Sequence, residues 1–207
     1  MTNVPPSWHP SSETVRELYE THAPQWDRDR GKGLFERGWL DRFTAGVAKG
    51  GAILDLGCGS GQPIATYLIE RRFRITGVDT SPAMIALCQR RFPGHDWVVG
   101  DMRDIRLGRR FAGILAWDSF FHLTPDDQRL ALETFSAHCA PSAMLMFTSG
   151  PAAGESIGSY RDDALYHASL DPQEYRELLA SHRFQVLDYV AEDPECGGHT
   201  VWLAQKA

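Results

Sequence analysis

Between residues 52 and 150, short apolar runs alternate with longer segments whose apolar positions recur at helical spacing. AILDL (52–56), FRITGVD (73–79), DWVVGD (96–101), FAGILAWDS (111–119) and AMLMFTSG (143–150) read as strands. Between them, QPIATYLIERR (62–72), SPAMIALCQRRF (81–92) and TPDDQRLALETFSAHCA (124–140) read as helices. Ser81 and Thr124 stand at N-cap positions, each followed by a proline at the first helical position, where a missing N–H costs nothing. Strands alternating with helices predict a parallel sheet with right-handed crossovers and helices on both faces. In such a sheet, ligands bind beyond the carboxyl ends of the strands.

The flanks follow other patterns. After Ser11 and Ser12, ETVRELYETHA predicts a helix with Val15, Leu18 and Tyr19 on one face, and LFERGWLDRFTAGVA (34–48) predicts a second that ends at the Gly50-Gly51 turn. Downstream, LYHASLD (165–171) is a short apolar stretch before the helix DPQEYRELLASH (171–182). FQVLDYVAED (184–193) and HTVWLAQK (199–206) read as strands joined by PECGG, too short a link for a crossover. The sheet is therefore expected to have seven strands, mostly parallel, with the last one antiparallel.

Composition narrows the function classes. A length of 207 residues, 43% hydrophobic and 23% charged, fits one soluble globular domain. A net charge of −6 argues against a nucleic-acid partner, and RRFR (71–74) and RLGRR (106–110) read as solvated turns or helix ends. No run approaches the roughly 20 apolar residues of a membrane span, so no membrane partner is expected. MTNVPPSWHPSS lacks the pattern of a signal peptide, and the expected location is cytoplasmic. Cys58, Cys88, Cys139 and Cys196 form no C-x-x-C pair, which predicts neither a disulfide framework nor a zinc site. Cys196 with His199 supplies two ligands, too few for a metal centre. Cys88 and Cys139 lie in apolar-periodic segments and are expected to be buried or half-buried.

The chemistry-bearing stretch is ILDLGCGSG (53–61). A dinucleotide fingerprint would place its third glycine where Gln62 stands, and a triphosphate loop needs a lysine that is not nearby. What Gly57, Gly59 and Gly61 offer is a tight turn open to backbone approach, followed by a helix start that favours a carboxylate. Asp55-Leu-Gly-Cys-Gly-Ser-Gly61 resembles motif I of class I S-adenosylmethionine-dependent methyltransferases, in their small, single-domain, small-molecule form. The motifs that accompany it stand in order: Asp79 at the second strand end, eighteen residues after Gly61, then Gly100-Asp101-Met102 and Ala116-Trp117-Asp118-Ser119.

The resemblance implies a Rossmann-like α/β three-layer sandwich with added N-terminal helices, and S-adenosylmethionine as cofactor, leaving S-adenosylhomocysteine as product. It places Asp55, Gly57, Cys58, Gly59 and Gly61 around the cofactor. Asp79, with Thr80 beside it, would hold both ribose hydroxyls, since vicinal hydroxyl donors suit one bidentate carboxylate. Asp101 would take the adenine amino group and the Met102 N–H the ring, with Met84 packed on the adenine. Trp117 and Asp118 would face the methyl group. Tyr19 and Arg30, in a segment with Trp26 that resembles an N-terminal lid, would reach the methionine carboxylate. One domain then spans 1–207: a flexible lead-in (1–12), a helical lid (13–49), the cofactor core (50–150), and a substrate-side segment with the terminal strand pair (151–207).

Methyl transfer from a sulfonium needs alignment and a dry pocket more than a strong catalyst. A base matters where the nucleophile must lose a proton, and Asp118, His122, His167 and His199 are the candidates. His122, after two phenylalanines in SFFHL, reads first as a partly buried histidine leading into a helix. Tyr160, Tyr166, His167 and His199 are candidates for the acceptor pocket. The residues after the fourth strand do not form the Asn/Asp-Pro-Pro-Tyr/Phe motif of nucleic-acid methyltransferases, no Pro-Cys nucleophile is present, and no metal-binding acids match those of catechol-type enzymes. Elimination thus leaves a small-molecule acceptor. Two alternatives stay open: an NAD(P)-dependent oxidoreductase, and a non-catalytic S-adenosylmethionine-binding protein.

Overall fold

A computed structural model describes residues 9–207; residues 1–8 of the expected lead-in lie outside the described residues. The chain runs α1 (Ser11–Asp29), α2 (Arg37–Ala45), β1 (Ala52–Leu56), α3 (Ile64–Glu70), β2 (Arg74–Asp79), α4 (Pro82–Arg91), β3 (Asp96–Val99) and β4 (Phe111–Ala116). It continues with α5 (Pro125–His138), β5 (Cys139–Ser149), β6 (Gly154–Tyr160), β7 (Asp163–Ser169), α6 (Pro172–Ser181), β8 (Phe184–Asp193) and β9 (His199–Lys206). Side-chain caps set three helix starts. Ser81 Oγ accepts from the Met84 N–H at 3.1 Å, Thr124 Oγ1 from Asp127 at 3.2 Å, and Asp171 Oδ1 from Gln173 at 2.8 Å. Because α1 already begins at Ser11, the end of the expected lead-in is helical.

Seven strands form one sheet in the order β3-β2-β1-β4-β5-β9-β8. The first five pair in parallel, and β9 runs antiparallel to both neighbours. Successive residues of the central strands feed opposite faces: Ile53 and Leu115 join the cluster with Phe43 and Leu68, while Leu54, Leu56 and Ala116 join Phe120, Phe147 and Trp202. Both faces are covered, so these strands read as unbroken apolar runs. The expected α/β sandwich and its reversed last strand are present. No helix among the described residues is long and apolar enough to cross a membrane.

Residues 154–169 differ from expectation. They form a separate antiparallel hairpin of β6 and β7, with Gly154 opposite Ser169 and Tyr160 opposite Asp163. GESIGSY is exposed along almost its whole length and so carries no alternating signal. Its turn, Arg161-Asp162, also lacks the glycine or asparagine that left-handed hairpin turns favour, although Arg161 adopts φ +57°. Helix α1 packs against both β7 and α4, across the carboxyl edge of the sheet.

Candidate active site

The glycine loop leaves β1 with Gly57, Gly59 and Gly61 all at left-handed φ (72°, 52° and 77°). The Gly57 and Cys58 N–H groups donate to the Val78 carbonyl at 2.8 and 3.1 Å, tying the loop to β2. A Cβ on Gly57 would fall 2.2 Å from the Ser119 Cβ, and one on Gly61 would crowd Phe92 at 3.1 Å and Cys88 Sγ at 3.2 Å. On Gly59 it would meet nothing within 4 Å. The outer glycines thus pack the loop down, and the middle one leaves an open floor. Gly57→Ala is expected to cost about 2–5 kcal/mol, combining left-handed strain with overpacking, and Gly59→Ala about 1–2 kcal/mol. Urea unfolding of both variants checks this, and equal losses would contradict it.

Over that floor lies a cavity of ≈ 940 Å³. Every residue that the family resemblance assigns to the cofactor lines it: Asp55, Gly57, Cys58, Gly59 and Gly61 from the loop, Asp79, Thr80 and Met84 from β2 and α4, then Asp101, Met102, Trp117 and Asp118, and finally Tyr19 and Arg30 from the lid. Asp79 holds its place through two backbone donors, Gly59 N–H to Oδ2 and Ser81 N–H to Oδ1, both at 2.9 Å. Burial pushes its carboxyl upward against those bonds. Burial, with the Asp79 charge adding to it, pushes Asp55 up to about 7.

Asp101 is already engaged. Arg103 donates from Nε to Oδ1 at 2.9 Å and from Nη2 to Oδ2 at 2.6 Å. Burial opposes the shift, yet Arg103 holds the Asp101 carboxyl below its ordinary range. Any adenine contact would share these oxygens with Arg103, which also reaches Asp127 at 3.0 Å. Nothing in the spacing of the sequence signalled Arg103.

A second group of candidate residues gathers where β4, β5 and β9 meet. Ser119 Oγ donates to the Leu56 carbonyl at 2.7 Å, and the Asp118 N–H donates to Thr148 Oγ1 at 2.9 Å. Asp118 itself sits at φ +49°, a strained conformation for a non-glycine residue of the kind that clusters at functional sites. Because β9 is antiparallel, its first residue lies at the same edge as the last residues of β4 and β5. His199 Nε2 is therefore 3.0 Å from Asp118 Oδ1. Its ring stacks on Trp117 at 5.6 Å and lies against Phe35 at 5.1 Å, and its Nδ1 donates to the Cys196 carbonyl at 2.8 Å.

The Asp118 carboxylate raises the His199 pKa, outweighing burial. A folded value above the unfolded one, about 6.5, makes this pair stabilising below that pH, with the contribution lost as pH rises through the folded value. His199→Gln is expected to flatten the pH dependence of melting temperature as pH rises above the unfolded imidazole value of about 6.5. An unchanged slope would contradict the pairing.

His122 has a different role from a free base. Its Nδ1 meets the Tyr166 carbonyl at 2.8 Å and must donate there, so the neutral ring presents Nε2 as acceptor to the Tyr19 hydroxyl at 2.9 Å. Burial lowers its pKa to about 4. The His167 ring lies 4.9 Å from that of His122. With His199, Ser149, Glu155 and Glu192, His167 lines a second cavity of ≈ 490 Å³. Tyr160 and Tyr166, expected in the acceptor pocket, line neither cavity. The Tyr160 hydroxyl donates to Asp29 at 2.9 Å, and Tyr166 is fully buried and contributes its carbonyl.

Two acids of α1 were missed by sequence reasoning. Glu20 Oε2 accepts from Ser81 Oγ at 2.5 Å and from the Ala83 N–H at 3.0 Å. Asp27 pairs with Arg91 at 2.8 Å, and Arg91 also donates to the Ser60 carbonyl at 2.7 Å. The two acids are one heptad apart on α1, which puts them on one face. That spacing was the available signal.

Residues 53–142 match a family model described as "Methyltransferase domain". A dTDP-3-amino-3,6-dideoxy-alpha-D-glucopyranose N,N-dimethyltransferase of Streptomyces fradiae is 34% identical over 100 residues, 47% of this chain and 39% of that protein. The chain thus spans well under half the length of that relative. The Burkholderia thailandensis 1,6-didemethyltoxoflavin-N1-methyltransferase, solved with 1,6-didemethyltoxoflavin and S-adenosylhomocysteine, superposes with TM-score 0.74 at 21% identity, over 96% of this chain and 90% of that one. The S-adenosylmethionine-bound aminopentose methyltransferase CalS10 of Micromonospora echinaspora gives TM-score 0.70 at 21% identity, over 90% of this chain and 96% of that one. Residues 53–142 thus match the methyltransferase-domain model, and the chain has the fold of these solved methyltransferases.

Proposed function

We propose that the chain is an S-adenosylmethionine-dependent methyltransferase acting on a small-molecule acceptor. One observation carries this reading: the glycine loop and the ends of β2, β3 and β4 converge on a single cavity of ≈ 940 Å³ that the lid helix covers. The donor set suits the cofactor. Asp79 retains unused lone pairs for two ribose hydroxyls, Gly59 leaves the floor open, and the acids Asp55, Asp79 and Asp118 favour a cation. S-adenosylmethionine supplies an electrophilic methyl group on a sulfonium. The chain's own part is to bind, orient and exclude water. His122, held as the Nδ1–H form, accepts the hydrogen bond of the Tyr19 hydroxyl at Nε2 and so turns the phenolic oxygen's lone pairs toward the cavity. Asp118 Oδ1 and His199 Nε2 stand ready to receive a proton from an acceptor that must lose one.

Within small molecules, an amine nitrogen is the acceptor we favour. Some relatives are named N-methyltransferases, others trans-aconitate 2-methyltransferases, and the second cavity, against His199, is lined by Glu155 and Glu192 and, among the described residues, by no lysine or arginine. Calorimetry with S-adenosylhomocysteine and NAD is the first test, and binding of NAD alone would sink the proposal. Labelled methyl transfer across matched amines, alcohols and carboxylates is the second. Methylation of carboxylates alone would refute the amine reading. No product from any class, with the cofactor bound, would favour a non-catalytic binding protein.

A further inference from the structure

Glu36 is the most deeply buried acid at the lid, with no exposed surface, in the connection between α1 and α2. Its Oε1 accepts from Arg30 Nη2 at 3.0 Å, and its Oε2 has no hydrogen-bond partner. A carboxylate removed from water with half of its acceptors unmet is costly, and such a group persists where its neighbours need it. The neighbour here is Arg30. No other acid among the described residues pairs with Arg30, and its guanidinium lies over the Phe35 ring at 5.5 Å. Phe35 and Glu36 thus fix it by face and by edge. Arg30 also lines the larger cavity, and an arginine with one Nη committed keeps further donors in a rigid fork.

We propose that Glu36 is a positioning residue: it anchors Arg30 so that the remaining guanidinium donors meet the carboxylate of the cofactor's amino-acid arm. This rests on the cofactor reading above, and on a juxtaposition that reading did not need. Glu36 does not line the cavity and bonds Arg30, which does, so the effect that passes through Arg30 falls on ligands that carry the arm; its charge also bears on Asp118 and His199, a contribution that does not depend on the arm.

Two ligands separate these cases. S-adenosylhomocysteine carries the arm, whereas 5′-methylthioadenosine shares adenine, ribose and sulfur but lacks it. In calorimetry, Glu36→Gln is expected to weaken S-adenosylhomocysteine by about tenfold or more and leave 5′-methylthioadenosine within about twofold. Arg30→Gln, at a partly exposed site, should show the same selective loss, and the double variant should bind no more weakly than Arg30→Gln alone. If Glu36→Gln fails to fold, Glu36→Asp retracts the anchor while keeping its charge, and should give a smaller loss confined to S-adenosylhomocysteine. Equal weakening of both ligands, additive losses, or unchanged S-adenosylhomocysteine binding in Arg30→Gln would each overturn the proposal. Failure of the unaltered protein to bind either ligand would instead defeat the cofactor reading.

Discussion

Asp79→Ala is expected to weaken S-adenosylhomocysteine binding by roughly 10–150-fold, or about 1.5–3 kcal/mol, the usual worth of hydrogen bonds to a charged group. Asp79 does two jobs. It offers lone pairs to the cavity, and it accepts from the Gly59 and Ser81 N–H groups at 2.9 Å, so it also pins the loop against the start of α4. Alanine removes both functions. Asparagine keeps one carbonyl acceptor and loses the charge, so Asp79→Asn should fall between alanine and the unaltered protein. Calorimetry reads the affinities, and a thermal melt separates loop loosening from lost ribose contacts. Unchanged affinity in Asp79→Ala would mean that the ribose sits elsewhere in the cavity.

The legible parts of this site share a physical property: they are local. Asp79 ends β2, Asp101 and Asp118 follow two residues after β3 and β4, the apolar runs of these strands are visible in the sequence, and Ser81 and Thr124 cap helices within their own turn. Parallel topology then brings all the strand ends to one edge without further information. The parts that were not legible are pairings between distant segments. Asp118 and His199 meet because β9 inserts between β5 and β8. Glu36 looks like an ordinary acid at a helix start, and its complete burial follows from how α2 docks.

The same division explains the tyrosines expected in the acceptor pocket. Tyr166 has the composition of a pocket residue, but on β7 its ring faces inward, and its backbone carbonyl is what reaches His122. Tyr160 is drawn away by Asp29 at the end of α1. The hairpin carrying both leaves no periodic trace, because β6 buries almost nothing. Side-chain identity could nominate these tyrosines. The way the β6–β7 hairpin packs against α1 decided which of their atoms face the site.

Asp55→Asn is expected to stabilise the protein at alkaline pH. Asp55 is only 4% exposed, makes no side-chain hydrogen bond among the described residues, and lies near the Asp79 charge, which together push its carboxyl up to about 7. The folded protein therefore prefers the neutral acid. That preference is fully present below the unfolded value near 4 and is lost as pH rises through about 7. A rise from near 4 to about 7 is worth at most ~4 kcal/mol between acid and alkaline conditions. An amide stays neutral throughout, so Asp55→Asn should match the unaltered protein near pH 4 to within about 1 kcal/mol and exceed it by several kcal/mol at about pH 8.5. Urea midpoints at the two pH values measure this, and parallel pH profiles would refute it. A cation seated against Asp55 would draw the proton off, so cofactor binding near pH 6.5 should release protons. Calorimetry in buffers of different ionisation enthalpy would detect that release, and Asp55→Asn should abolish it.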